Sequence, residues 1–307
     1  MSVAFISHPA CRLHQMGARH PERPARLAAI EDQLHAAGLY DFLVHHTAPR
    51  ATMDQLARVH TRGHIERLMA RVPAEGLVHL DADTALCPDS CEAALRAAGA
   101  CVLAVDLVLR GEVRRAFCNV RPPGHHAERD AAMGFCLFNN VAVGAAHALE
   151  AHGLERVAIL DFDVHLGNGT EDAFRHDDRV LICSTFQYPL YPNLNTASVP
   201  GHIVNCALPP GSGRAEFRSA VTAHWLPAIE AFGPQLLFIS AGFDAHASDG
   251  LADLRLSSAD YAWVTEEICR AAGHTAGGRV VSTLEGGYEL NALAASAAAH
   301  IDALMRT

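Results

Sequence analysis

Short, nearly unbroken apolar runs alternate along this chain with longer segments whose apolar residues recur every three to four positions. The runs at 115–120, 157–161, 180–184, 236–240 and 280–284 are each five or six residues long. Such runs read as strands buried on both faces, the pattern of a parallel sheet. Around and between them, segments 90–109, 140–152, 214–232, 258–272 and 290–305 have helical periodicity. Alternating strand and helix predicts an α/β fold, with a mostly parallel central sheet and helices on both faces. No Pro/Gly/Ser-rich linker, internal repeat or low-complexity tract divides the chain, so residues 1–307 read as a single domain.

Polar residues suited to binding metal or moving protons close each strand. They are Arg121-Pro-Pro-Gly-His125-His126, Asp161-Phe-Asp163-Val-His165, Ser184-Thr185, Gly242-Phe-Asp244 and Glu285-Gly-Gly-Tyr288. Open α/β sheets bind ligands beyond the carboxyl ends of their strands, where all five clusters fall. The non-periodic stretches 121–138 and 188–202 then form loops around the mouth of a site.

Two-residue spacing puts alternate side chains of an extended chain on one side, so Asp163 and His165 can converge on one ion. Asp244 closes a second strand and supplies another carboxylate. An Asp/His/Asp set leaves positions for water and substrate, as in a catalytic rather than a structural metal site. Adjacent imidazoles at such an ion can divide the work, one neutral as a base and one charged beside a carboxylate. A bare histidine pair carries little weight in a chain with 20 histidines, and His45-His46 is another pair with nothing catalytic around it. The Arg121-Pro-Pro-Gly124 turn sets the later pair apart. Tyr288 follows Gly286-Gly287, which let a phenol approach a ligand and donate to a developing oxyanion.

Composition narrows the function classes. Half the residues are hydrophobic, enough for a sizeable core. A net charge of −10 with no Lys/Arg run argues against direct nucleic-acid binding. An acidic balance by itself reads first as an aid to solubility, while a local acidic patch could attract a cationic substrate such as a lysine-rich segment or a polyamine. Nine cysteines without a CxxC pair imply a reducing cytosol and buried thiols. No signal-peptide pattern opens the chain and no apolar stretch is long enough to span a bilayer, so a cytoplasmic protein without membrane attachment is expected.

The segments RPPGHHA, GFCLFNN, LDFDVHLGNGTE, SAGFD and LEGGYEL, together with His20-Pro-Glu-Arg-Pro24 and Arg26, resemble the motifs of the histone deacetylase superfamily. The match is to its class II and bacterial amidohydrolase branch, in order over nearly the whole chain. The resemblance implies an arginase-like α/β fold and zinc-dependent deacylation of N-acyl amines. It implies that Asp163, His165 and Asp244 are the zinc ligands and that Tyr288 is the catalytic tyrosine. It further implies that Asp161 orients His125 and Asn168 orients His126; the second of these partners is Asp in class I and Asn in class II. Gly134, Phe135 and Tyr191 match positions along the acyl tunnel, with Leu251, Gly286 and Gly287 also assigned to substrate, and Asp83 resembles a rim aspartate that grips the substrate backbone. A structural potassium ion would use Asp161, Asp163, His165, Ser184 and Thr185, several through main-chain oxygens.

There are departures from the family pattern. Leu166 stands where a second histidine is usual, Phe186 replaces a common histidine, and Tyr191-Pro-Asn-Leu-Asn195 replaces Tyr-Pro-Gly-Thr-Gly. The reading is an acyl-lysine deacylase. An acetylpolyamine amidohydrolase and a weakly active acyl-lysine binding module are the alternatives. Polyamine-specific relatives tend to carry a glutamate at the position of Leu251, which favours the first reading, with Glu22 or the 193–195 loop region as the alternative source of a substitute carboxylate. Tyr288 argues against the third. The donor set suits zinc or ferrous iron. The oligomeric state, acyl length and physiological substrate stay open.

Overall fold

The computed structural model describes residues 2–194 and 196–307. Among them, an eight-stranded sheet is formed by β1 (Val3–Ser7), β2 (Val44–Thr47), β3 (Arg115–Cys118), β4 (Val157–Asp161), β5 (Val180–Gln187), β6 (Ile203–Leu208), β7 (Leu236–Ala241) and β8 (Val280–Leu284). Their order across the sheet is β2-β1-β3-β8-β7-β4-β5-β6. Every neighbouring pair is parallel. All carboxyl ends therefore lie along one edge, which brings the polar clusters together.

The five predicted strands form the middle of this sheet, and β3, β4, β5, β7 and β8 are buried along their whole length. Sequence pattern missed β1, β2 and β6. β2 is a largely exposed edge strand and β6 mixes exposed and buried positions on the other edge, whereas β1 carries the same short apolar pattern as the predicted strands. His45 and His46 lie on β2, the outermost strand on one side of the sheet, where the His45 ring packs against Tyr40 at 4.2 Å.

The longest helices are α1 (Ala25–Ala36), α2 (Ser90–Leu109), α3 (Asn140–His152), α4 (residues 214–232), α5 (Ser258–Thr275) and α6 (Leu290–Arg306). α2 and α3 pack on each other and on the central strands, and α1, α5 and α6 pack together as a second group. The alanines of α2 allow that close approach, and its buried face runs from Ala93 to Val108. Asn139 caps α3 by accepting from Ala142 N at 3.1 Å, and Gly153 ends it in the left-handed conformation at φ 67°. α4 carries one wider π turn at Val221–Trp225. No helix among the described residues is long and apolar enough to cross a membrane.

Candidate active site

The ends of β4, β7 and β8 build an anionic cluster in the interior. Asp163 Oδ1 lies 3.0 Å from His165 Nδ1, and Asp244 Oδ2 lies 3.3 Å from the same nitrogen. Ligand-type atoms of these three residues all fall within 4.8 Å of one another. Main-chain donors lock both carboxylates: Gly286 N donates to Asp163 Oδ2 at 2.9 Å, and Val164 N to Asp244 Oδ1 at 2.9 Å. Asp244 Oδ2, by contrast, is buried and makes no well-aligned hydrogen bond among the described residues, only the 3.3 Å ion-pair approach of His165 Nδ1. A buried carboxylate oxygen left in that state is costly, so the donor set fits a divalent cation. No side chain fits at Gly286, where a Cβ would collide with both carboxylates.

Charge bears this out. Burial pushes the Asp244 carboxyl up, and Asp163 beside it adds to the effect, bringing it to about 6. Burial opposes a charge on His165, but its hydrogen bond to Asp163 and its attraction to Asp163 and Asp244 outweigh it and raise that imidazole to about 10. The field that favours a proton there also favours a metal ion in its place.

The histidine pair follows the Arg121-Pro-Pro-Gly124 turn. Glu285 Oε2 accepts from Gly124 N at 2.7 Å and from His125 N at 3.1 Å, fixing the main chain of the turn. Burial pushes the Glu285 carboxyl up to about 7 against the pull of His125 and these N–H groups. His125 Nδ1 meets Asp161 Oδ2 at 2.9 Å, and its Nε2 is 3.7 Å from Asp163 Oδ1. Burial disfavours its charge, but Asp163 and Asp161 together raise it well above the ordinary histidine value. His126 Nδ1 donates to Asn168 Oδ1 at 2.7 Å. Burial, then the charges of His125 and His165, hold His126 well below the ordinary value. Two neighbouring imidazoles with ring centres 4.1 Å apart are thus biased to opposite charge states.

A cavity of about 210 Å³ opens onto these groups, lined by His125, His126, Phe135, Tyr191, Leu251 and Tyr288, with Asp83 at its edge. Phe135 meets Tyr288 edge-on at 5.8 Å and Tyr191 meets His126 edge-on at 5.1 Å. Gly134 adopts φ 55°, and a side chain there would collide with the His126 ring. Burial raises the Tyr288 phenol well above its ordinary value, and Asp244 adds to the effect, so it stays a protonated donor. Asp83 is held by Asp81, which accepts from Asp83 N at 2.9 Å.

Other expected residues lie outside this cavity. Gly287 turns its carbonyl to Arg26 Nε at 2.6 Å and does not line the cavity. Ser184 and Thr185 lie on β5, buried, with Ser184 in register with Asp161. Glu22, weighed as a substitute rim carboxylate, is instead fully buried between Arg121 and Arg26, with Arg26 NH1 at 3.0 Å. It is spent on that pairing and cannot meet a substrate cation. Of the unusual rim, Asn193 has positive φ at 61°, and Asn195 lies outside the described residues. Sequence reasoning missed the roles of Arg26 and Glu285 in holding the loops that carry Tyr288 and the histidine pair, and it missed Pro123, Cys136 and Leu190 in the cavity wall. Only the placement of Glu285 at a strand end hinted at its role.

The sequence model described as "Histone deacetylase domain" matches residues 20–304. The chain belongs to the histone deacetylase family. It is 40% identical over 278 residues to the "Histone deacetylase-like amidohydrolase" of Pseudomonas aeruginosa, covering 88% of this chain and 73% of that protein. It is 36% identical to "Polyamine deacetylase HDAC10" of Homo sapiens, covering 92% of this chain and 44% of that one. Among solved structures, the HDA15 HD domain superposes with a TM-score of 0.92 at 36% identity, covering 99% of this chain and 89% of that domain. As a member of the family, the chain is a hydrolytic enzyme of the deacetylase and amidohydrolase type.

Proposed function

We propose that this enzyme is a zinc-dependent deacylase of N-acyl-lysine-type substrates, with the ion held by Asp163, His165 and Asp244. The observation that carries the reading is the buried Oδ2 of Asp244, which makes no well-aligned hydrogen bond and faces His165 beside a second carboxylate. When bound, such an ion polarises the acyl carbonyl and lowers the pKa of water. Ferrous iron is the alternative for the same donors. Potassium would lie among Asp161, Asp163, His165, Ser184 and Thr185, where burial and Asp163 raise the Asp161 carboxyl and a cation would relieve the crowded charge.

In this reading His126, neutral and held by Asn168, takes the proton of the attacking water and later delivers one to the leaving amine. His125, kept charged by Asp161 and Asp163, stabilises developing negative charge. Tyr288 donates its hydroxyl to the oxyanion. Phe135 and Tyr191 flank the aliphatic stem of the substrate, and Asp83 accepts from its backbone. Free thiols throughout the chain accord with a cytoplasmic setting.

The name of the human relative keeps acetylated polyamines in view as the second reading. Against it stand Leu251 at the cavity and the interior position of Glu22. Comparing kcat/KM for an acetyl-lysine peptide with that for acetylputrescine and acetylated spermidine separates the two. The peptide should be preferred, and Leu251→Glu should move the ratio toward the polyamines by up to roughly fivefold, the size of one exposed ion pair. A clear preference of the native enzyme for either polyamine overturns the assignment.

A further inference from the structure

Tyr288 lies between the end of β8 at Leu284 and the start of α6 at Leu290, just after two glycines. Gly287 adopts φ 112°, a conformation closed to most residues, so the local backbone is permissive rather than self-fixing. Two groups of opposite charge fix it from outside. On the carbonyl side, Arg26 donates to the oxygens of Glu285 and Gly287. On the N–H side, Asp249 Oδ2 accepts from Tyr288 N at 2.6 Å and from Glu289 N at 3.1 Å.

Asp249 comes from the loop after β7, and it is only 6% exposed. Its other oxygen accepts from Leu251 N at 3.2 Å, so one carboxylate ties the tyrosine's loop to the loop carrying a residue of the cavity wall. Capping of α6 does not account for it, because the Glu289 side chain already accepts from Ala292 N at 2.6 Å. Charge-assisted hydrogen bonds to main-chain donors are strong and directional. Here they are made by the peptide nitrogen of Tyr288 itself.

We infer that Asp249 is a positioning residue: its carboxylate sets where the Tyr288 phenol meets the reacting carbonyl, and it couples that placement to the loop of Leu251. This rests on the reading of Tyr288 as the oxyanion donor. Asp249 does not itself line the cavity, and its contact with the catalytic groups is the hydrogen bond to the peptide nitrogen of Tyr288; metal content is followed in the test because its charge also lies near Asp244.

The test is a double-mutant cycle of Asp249→Ala with Tyr288→Phe on an acetyl-lysine peptide, with metal content and thermal midpoint measured alongside. Asp249→Ala should lower kcat roughly 10- to 100-fold, as misplacement of a catalytic group by about an ångström does, with KM within about twofold and metal content unchanged. In the Tyr288→Phe background, Asp249→Ala should cost less than about threefold, because the donor it positions is already gone. Asp249→Asn keeps the shape with one acceptor and should fall between; the same cycle run with it carries the test if the alanine variant does not fold. Full additivity in the Tyr288→Phe background, or native kcat in Asp249→Ala, overturns the inference while leaving the deacylase reading intact. Native turnover in Tyr288→Phe alone overturns the parent reading, and this inference with it.

Discussion

His126 Nδ1 donates to Asn168 Oδ1 at 2.7 Å, and Asn168 turns its amide nitrogen to Glu128 Oε1, also at 2.7 Å. Glu128 can only accept, so it fixes the amide orientation, and the amide in turn fixes the tautomer of His126. The Nε2 lone pair is left for the cavity. Because the partner is an amide and not a carboxylate, nothing at Nδ1 adds a formal negative charge to favour the imidazolium. Asn168→Asp should therefore raise the His126 pKa. A base works in its neutral form, so the acid limb of the kcat/KM profile should move to higher pH, with turnover at acid pH falling relative to that at pH 8. An unmoved acid limb would show that His126 is not the titrating base.

The Glu22 carboxylate meets Arg121 through both oxygens and Arg26 through one, with all three side chains buried. Burial opposes its ionisation, but Arg121 and Arg26 outweigh that and hold it at about 2. Its contribution to stability is therefore complete above the unfolded carboxylate pKa and lost as pH falls through that value toward about 2. Glu22→Gln leaves two buried guanidinium groups short of charge and should destabilise the fold by about 3–5 kcal/mol in urea denaturation at neutral pH. A loss below about 1 kcal/mol would mean that solvent or another group compensates.

His14, His60 and His300 are buried, and burial is the main cause holding them low, at about 4, 3 and 3. His300 is fitted between Thr265 Oγ1 at 2.6 Å and Ser282 Oγ at 2.8 Å. Below the ordinary histidine pKa the unfolded chain binds protons that the folded chain refuses. Stability should thus be highest above that value and fall as pH drops toward 4. Each such histidine contributes a slope of about 1.4 kcal/mol per pH unit. His300→Gln should be shallower by about one proton between pH 6 and 4, whatever its absolute stability. An unchanged slope would mean that His300 does not contribute to the acid lability.

Residues such as Asp161, Asp163 and His165 were legible in the sequence because they need fixed types at fixed spacing at the end of an apolar run. The central strands were legible for a related reason: burial on both faces leaves an unbroken apolar stretch. β2 and β6 were not, since an edge strand is partly wet and reads as mixed. Nor was the fate of Glu22, because its partner Arg121 is 99 residues away in sequence and the pairing exists only once the sheet has closed. Asp249 was hidden for the same reason, as its partners are peptide nitrogens that carry no residue signature.

The central claim is that hydrolysis depends on a divalent ion held by Asp163, His165 and Asp244. Its most direct test measures metal content by elemental analysis and deacetylase turnover on the same samples, for the native chain, the chelator-stripped chain and Asp244→Ala. The expected result is one catalytic ion per native chain, loss of ion and turnover together on stripping, recovery of both when zinc or ferrous iron is restored, and neither in Asp244→Ala. Full turnover in the stripped, metal-free enzyme would contradict it.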